Sequence, residues 1–141
     1  MGQGLKDRLV VTNDTKYLIV VRDFIGRMIK QSRVTREDEN KIVLAVDEAV
    51  TNIIEHGYDP GVEGLIELEV ESEDTQFKVV IRDSGRVFNP ESVGNPDMQR
   101  HIKAGRKKGL GIFLMRQIMD EVRYRFKDGV KNELTLVKYT K

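Results

Sequence analysis

Residues 42–59, IVLAVDEAVTNIIEHGYD, leave little choice of local structure. Ile42, Val46, Ala49, Val50 and Ile53 recur at helical spacing and make one apolar face. Glu48 and Asn52 stand four residues apart on another face, with Glu55 or His56 a turn further on. An acid and an amide stacked on a helix ordinarily just face solvent. Two glycine-bearing stretches further along change that reading. Asp83-Ser84-Gly85 and Gly109-Leu110-Gly111 both fall at expected strand or helix ends, where a nucleotide can sit.

The chain of 141 residues is expected to form one domain, 1–141, with a single core. Its 24 Lys+Arg against 23 Asp+Glu give a net charge of +1, which offers no argument for nucleic-acid binding. The absence of cysteine excludes a disulfide framework and thiolate metal sites. No apolar run approaches the roughly 20 residues of a membrane span, and residues 1–3 open no signal-peptide pattern. A cytoplasmic protein with no membrane association is the expectation.

Around the central helix the punctuation is clear. Residues 9–12 read as an edge strand, and Asn13, Asp14 and Thr15 are good caps for a helix whose stripe is Tyr17, Leu18, Val21, Phe24, Ile25, Met28 and Ile29. Thr35 with Asp38 three residues on resembles a capping box at the start of the central helix; Gly57 stops it, and Asp59-Pro60-Gly61 turns the chain. Leu65, Glu67, Glu69 and Glu71 alternate with Ile66, Leu68 and Val70, so the next strand has one acidic and one apolar face. A turn at Glu73-Asp74 leads to a second strand over 77–82, ending at Asp83. Residues 89–108 carry Pro90, Gly94, Pro96 and Gly105 and turn basic, with Arg100, Lys103, Arg106, Lys107 and Lys108 and no acid after Asp97. A solvated charge run is the plain account; a flexible cationic loop beside an anion is the other. A helix over 111–122, with Ile112, Met115, Ile118 and Met119 inward, and a hairpin about Asp128-Gly129 complete the chain. The order predicts an α/β (α+β) two-layer sandwich: a mixed, mostly antiparallel sheet with helices on one face.

The glycines before the last helix would let backbone N–H groups approach a phosphate. No Walker A loop, GxGxxG, VAIK or DFG sequence is present. Asp83 is either an Asx turn or a carboxylate that accepts from an exocyclic amine such as that of adenine, with Gly85 leaving room for the ring.

Taken in order, Glu48-Ala49-Val50-Thr51-Asn52, Asp83-Ser84-Gly85 and Gly109-Leu110-Gly111 resemble the N box and the two glycine boxes of the GHKL ATPase superfamily. LAVDEAVTNIIEHGY, DSGRVFNP and GLGIFLMRQIMDEVRY are similar to the small bacterial serine-protein kinases that act as anti-sigma factors. The resemblance runs over nearly the whole chain and implies a Bergerat-type ATP-binding fold. By it, Glu48 is the general base, Asn52 ligates Mg²⁺, and Asp83 and Gly85 hold the adenine. Lys108, Gly109, Leu110 and Gly111 then belong to the phosphate cradle, and 89–108 is the ATP lid. It also implies a STAS-type anti-anti-sigma protein as substrate, a sigma factor as a second partner, and a homodimer.

Two positions depart from the superfamily pattern. Val87 stands where a second glycine is usual, and Lys131-Asn132 stands where a Gly-Thr pair often precedes the last strand. Thr135 is one candidate for the residue behind Asp83. His56 reads as a helix-end residue. The competing function is an ATP-binding regulatory module that sequesters a partner without phosphorylating it. A detached histidine-kinase domain is disfavoured by the contexts of His56 and His101.

Overall fold

The structure is a computed structural model that describes residues 4–85, 110–127 and 131–140. The segment 89–108 expected to be the ATP lid, Lys108, Gly109 and the turn at Asp128-Gly129 lie outside the described residues, as does the side chain of Leu110.

The chain begins with β1, Leu5–Thr12, at one edge of the sheet. Sequence reading starts this strand at Leu9, because Lys6, Asp7 and Arg8 have little strand character of their own. They are strand because they pair across the sheet. Lys6 lies 3.5 Å from Glu69, and Arg8 lies 3.3 Å from Glu67. Asp14 then accepts from the Lys16 N–H and opens a 3₁₀ turn, Thr15–Tyr17, which leads directly into α1, Leu18–Lys30. Val21, Phe24, Ile25, Met28 and Ile29 of its stripe are buried.

The central helix is α2, Arg36–His56. Thr35 caps it as expected, its Oγ1 accepting from the Asp38 N–H at 3.3 Å. Ile42, Ala45, Val46, Ala49 and Val50 are buried, so the apolar face is the one the spacing indicates. The Asp59–Val62 turn closes with the Val62 N–H on the Asp59 carbonyl at 3.0 Å, and Gly61 takes φ 83°. Proline then glycine at the two central positions is the signature of a type II turn.

β2, Leu65–Ser72, and β3, Gln76–Asp83, form the expected hairpin. The next described element is α3, Leu110–Ile118. The helix expected over 111–122 therefore ends four residues early. Asp120 leaves the helix, its N–H donating to the Val137 carbonyl and its carboxylate accepting from the Tyr139 N–H at 2.6 Å. Lys138 donates to the Ile118 carbonyl at 3.1 Å and so caps the helix end with a positive charge. From Glu121 the chain alternates as β4, Glu121–Lys127, which pairs with β5, Lys131–Tyr139.

The sheet order is β1-β2-β3-β5-β4. Where a mixed, mostly antiparallel sheet is expected, each described pairing is antiparallel. One face, with Ile66, Leu68, Val70, Phe77, Val79, Ile81, Leu134 and Leu136, packs with α1, α2, Met115 and Met119 into one core. The helices thus lie on one face of the sheet, as the α/β two-layer reading requires. The other face carries ion pairs centred on Arg82, which reaches Glu133 at 2.8 Å, Glu69 at 3.3 Å and Glu67 at 3.5 Å.

Candidate functional site

The two faces of the sheet decide which polar residues can form a site. Asp83 ends β3 on the helix-facing side, in one rung with Ile66 of β2 and Asn132 of β5. Phe126 of β4 continues that rung beyond Asn132. Asp83 and Asn132 are the two buried polar groups of the rung, 6% and 5% exposed, whereas Phe126 is 40% exposed. The end of the sheet therefore offers a carboxylate, an amide and an aromatic ring side by side.

Asp83 is held from two sides. Its Oδ1 accepts from the Gly85 N–H at 2.8 Å and from Asn132 Nδ2 at 3.1 Å. The first is the Asx-type bond that an Asp-Ser-Gly turn offers. Burial pushes the Asp83 carboxyl above its ordinary value, and the two hydrogen bonds pull against that rise. Tyr58 closes the near side, its hydroxyl accepting from the Ser84 N–H at 3.1 Å. Burial raises the Tyr58 phenol, the Ser84 N–H works against the rise, and the Asp83 charge adds to it.

Asn132, not Thr135, is the residue behind Asp83. Thr135 pairs with Val80 and Arg123, which puts it on the opposite face of the sheet. Asn132 takes the position where the superfamily often has its threonine.

Gly85 has a reason of its own. A Cβ there would lie 2.4 Å from the carbonyl oxygen of Gly57 and 3.0 Å from Asp83 Oδ1. Its missing side chain is thus already used by the end of α2, and this backbone approach, more than room for a ring, is what the structure demands of it. The contact also sets the geometry of the site. α2 abuts the strand end at Gly57, Asn52 lies about 7.5 Å back along the axis, and Glu48 about 13.5 Å back, at the helical rise. Both are partly buried on one face of α2. Leu110 begins α3 and Gly111 is its second residue, so a helix N-terminus stands at the second glycine box. α2 and α3 pack against each other. His56 sits exposed in the last turn of α2 beside Glu55, as a helix-end residue would.

A long helix thus runs away from a buried aspartate with an acid and an amide along it, and it packs against a helix whose N-terminus stands at the second glycine box. Residues 11–138 match the family model of the histidine kinase-like ATPase domain, and the chain belongs to that family. Within it, the chain is similar to the serine-protein kinases named RsbW. It is 31% identical over 136 residues to that of Staphylococcus aureus strain MRSA252, covering 93% of this chain and 84% of the relative. It is 32% identical over 131 residues to that of Staphylococcus epidermidis, covering 89% and 81%. The fold is also similar to part of a solved structure, that of the RsbU and RsbW domains of Rv1364c from Mycobacterium tuberculosis. That match has a TM-score of 0.63 at 18% identity and covers 95% of this chain but 32% of that one. The histidine kinase domain of the blue-light activated kinase of Erythrobacter litoralis EL346 matches with a TM-score of 0.52 at 18% identity, covering 87% of this chain and 59% of that one. Among the described residues, no helix is long and apolar enough to cross a membrane.

Asn132, Tyr124, Phe126 and Tyr58 are not among the site residues the sequence proposes, although Lys131-Asn132 marks a departure from the usual Gly-Thr pair and Tyr58 and Tyr124 end two of the resembling stretches. Asn132, Tyr124 and Phe126 come together through strand register, which no local spacing reveals. Tyr58 directly follows the glycine that ends α2.

Proposed function

We propose that the chain is an ATP-dependent serine/threonine-protein kinase and anti-sigma factor that phosphorylates a STAS-type anti-anti-sigma protein in a partner-switching circuit. The observation that carries the reading is the line Asp83, Asn52, Glu48. An extended nucleotide with its base at Asp83 and its phosphates along α2 brings its reacting end to Glu48. The sigma factor as second partner, the homodimer and the cytoplasmic location belong to the same reading and rest on the family likeness.

Each residue then has a task. The Asp83 carboxylate accepts a hydrogen bond from the exocyclic amine of adenine. Glu48 takes the proton of the substrate serine hydroxyl as its oxygen bonds to the γ-phosphorus; the bond from that phosphorus to the β–γ bridging oxygen breaks and ADP departs. The N–H groups at the start of α3, with Lys108, Gly109, Leu110 and Gly111, hold the phosphates. The segment 89–108 is the ATP lid of this reading, the part that would exclude water during transfer.

A magnesium ion fits the donors present. Among the described residues no group of three His, Asp or Glu side chains is placed to hold a metal by itself. That suits an ion that takes few protein ligands and completes its shell with phosphate oxygens and water. Asn52 offers a hard amide oxygen on the correct face of α2, and the ion would neutralise charge on the transferred phosphoryl group.

The test is phosphotransfer from ATP to a STAS partner with Mg²⁺ present, read as phosphoserine by mass spectrometry. Glu48→Gln keeps the shape of the side chain but cannot take the proton, so transfer falls by about 10²–10⁴-fold while ADP affinity holds. Full transfer by the mutant ends the base assignment. Nucleotide-dependent partner binding with no transfer by the wild-type chain would make it the regulatory module instead.

A further inference from the structure

The surroundings of Asp83 are more specified than an acceptor alone requires. Asn132 Nδ2 donates to Asp83 Oδ1 at 3.1 Å and to the Gly85 carbonyl at 3.2 Å. A carboxylate and a carbonyl only accept, so the amide can stand in one orientation: nitrogen towards them, oxygen away. That oxygen accepts from the hydroxyl of Tyr124, two residues before Phe126 on the edge strand β4. The amide is thereby pinned at three points. Asp83 Oδ1 in turn is held by both Asn132 and the Gly85 N–H, and Oδ2 receives no hydrogen bond among the described residues.

We propose that Tyr124, acting through Asn132, is a specificity-determining positioning residue that fixes Asp83 with Oδ2 outward as an acceptor for a 6-amino purine and against a 6-oxo purine. The inference rests on the nucleotide reading of the site and adds the choice of base to it. Adenine presents an N6 amine donor where guanine presents an O6 acceptor. Against an ionised Asp83, guanine places acceptor on acceptor. Among the described residues, the side-chain amide that donates to Asp83 and could serve O6 instead is Asn132 Nδ2. To reach it, Asn132 must leave Asp83 and Gly85 and give up the Tyr124 hydroxyl. Tyr124 is therefore the lock on the alternative base, although it lies two strands away from Asp83.

The chain also sets the charge of the acceptor. Burial favours the neutral carboxyl at Asp83, and the Asn132 and Gly85 donors favour the ion. Tyr58, whose hydroxyl accepts from the Ser84 N–H, is itself pushed towards its protonated form, first by burial and also by the Asp83 charge. Loss of the Asn132 donor raises the Asp83 carboxyl further, so an adenine nucleotide should lose affinity at a higher pH than it does in the wild type.

The experiment compares ADP and GDP binding by calorimetry across the acid-to-neutral range for wild type, Tyr124→Phe and Asn132→Leu. Wild type should bind ADP well and GDP poorly. Tyr124→Phe removes one hydroxyl and should lower the ADP-to-GDP ratio about tenfold, the scale of one hydrogen bond. Asn132→Leu should lower ADP affinity about 10–100-fold at neutral pH and move the acid limb of ADP binding upward. If Asn132→Leu fails to fold, Tyr124→Phe carries the test alone. An unchanged base ratio and an unchanged pH profile, even with weaker ADP binding, mean that the pair is merely structural and overturn the inference. A wild-type chain that binds neither nucleotide overturns the nucleotide reading itself, and this inference with it.

Discussion

Replacing Asp83 by asparagine should make the empty protein more stable and the nucleotide complex weaker. Asp83 is 6% exposed, and burial raises its pKa above 3.8. A carboxyl whose folded pKa is raised contributes stability that is present below the unfolded value and lost as pH rises through the folded one. At neutral pH the ionised group is therefore a cost to the fold. An asparagine with its Oδ1 in the same place still accepts from Gly85 and from Asn132, so both hydrogen bonds survive, and the buried charge is gone. Relief of one such functional burden is worth about 1 kcal/mol, or roughly 3–5 °C in Tm for a chain of this size. Binding should move the other way. A hydrogen bond to a charged acceptor is worth about 1.5–3 kcal/mol, and the new Nδ2 points a donor at the adenine amine, so ADP affinity should fall by about 10²-fold or more. Urea denaturation at several pH values measures the first effect and calorimetry the second. The stability gain should shrink as pH falls through the raised folded-state pKa of Asp83, as the wild-type carboxyl takes up its proton. A mutant that is less stable at neutral pH, or one that binds ADP as well as the wild type does, refutes the reasoning.

Two further substitutions probe the frame of the site. Gly85→Ala sets a Cβ 2.4 Å from the Gly57 carbonyl oxygen, so the end of α2 must move; a loss of about 1–3 kcal/mol by thermal melting is expected, with weaker ADP binding, and a neutral effect on both would show that the contact yields freely. Arg82→Met leaves Glu133, 7% exposed, and Glu69 without their shared cation; discounting the usual 3–5 kcal/mol for partial exposure gives about 2 kcal/mol. Burial pushes the Glu69 and Glu133 carboxyls up, but Arg82 and its cationic neighbours outweigh it, so both stay below their ordinary value. Their contribution is therefore present above that value and lost as pH falls through the folded pKa. The wild-type advantage over Arg82→Met should then narrow in acid, in a pH titration of denaturant midpoints; an advantage that is constant with pH would mean that Arg82 acts by packing alone.

What could be read from the sequence, and what could not, divides by range. Helix faces are local: the repeat of Ile42, Val46, Ala49 and Val50 fixes which side of α2 is buried, and so which side shows Glu48 and Asn52. Caps and turns are local too, and Thr35, Gly57 and Pro60-Gly61 end or begin elements where their chemistry says they should. β1 is half legible, because Lys6 and Arg8 become strand only through carboxylates some sixty residues away. The end of α3 is misread for a related reason. Ile118, Met119 and Val122 keep a helical period, but Val137, Lys138 and Tyr139 claim Asp120 and the Ile118 carbonyl from a distant strand. The same logic separates Asp83 from its support. Asp83 stands in a short motif that betrays it. Asn132 and Tyr124 are placed by antiparallel register, where a slip of one residue would send Asn132 to the opposite face and bring Glu133 in its stead. Glu133 is committed to Arg82 on that opposite face, so the ion pairs there help to hold the register that puts an amide behind the carboxylate. If Asp83 receives the base as proposed, a mutation in the charged face of the sheet should therefore change the ADP-to-GDP ratio without touching a residue near Asp83.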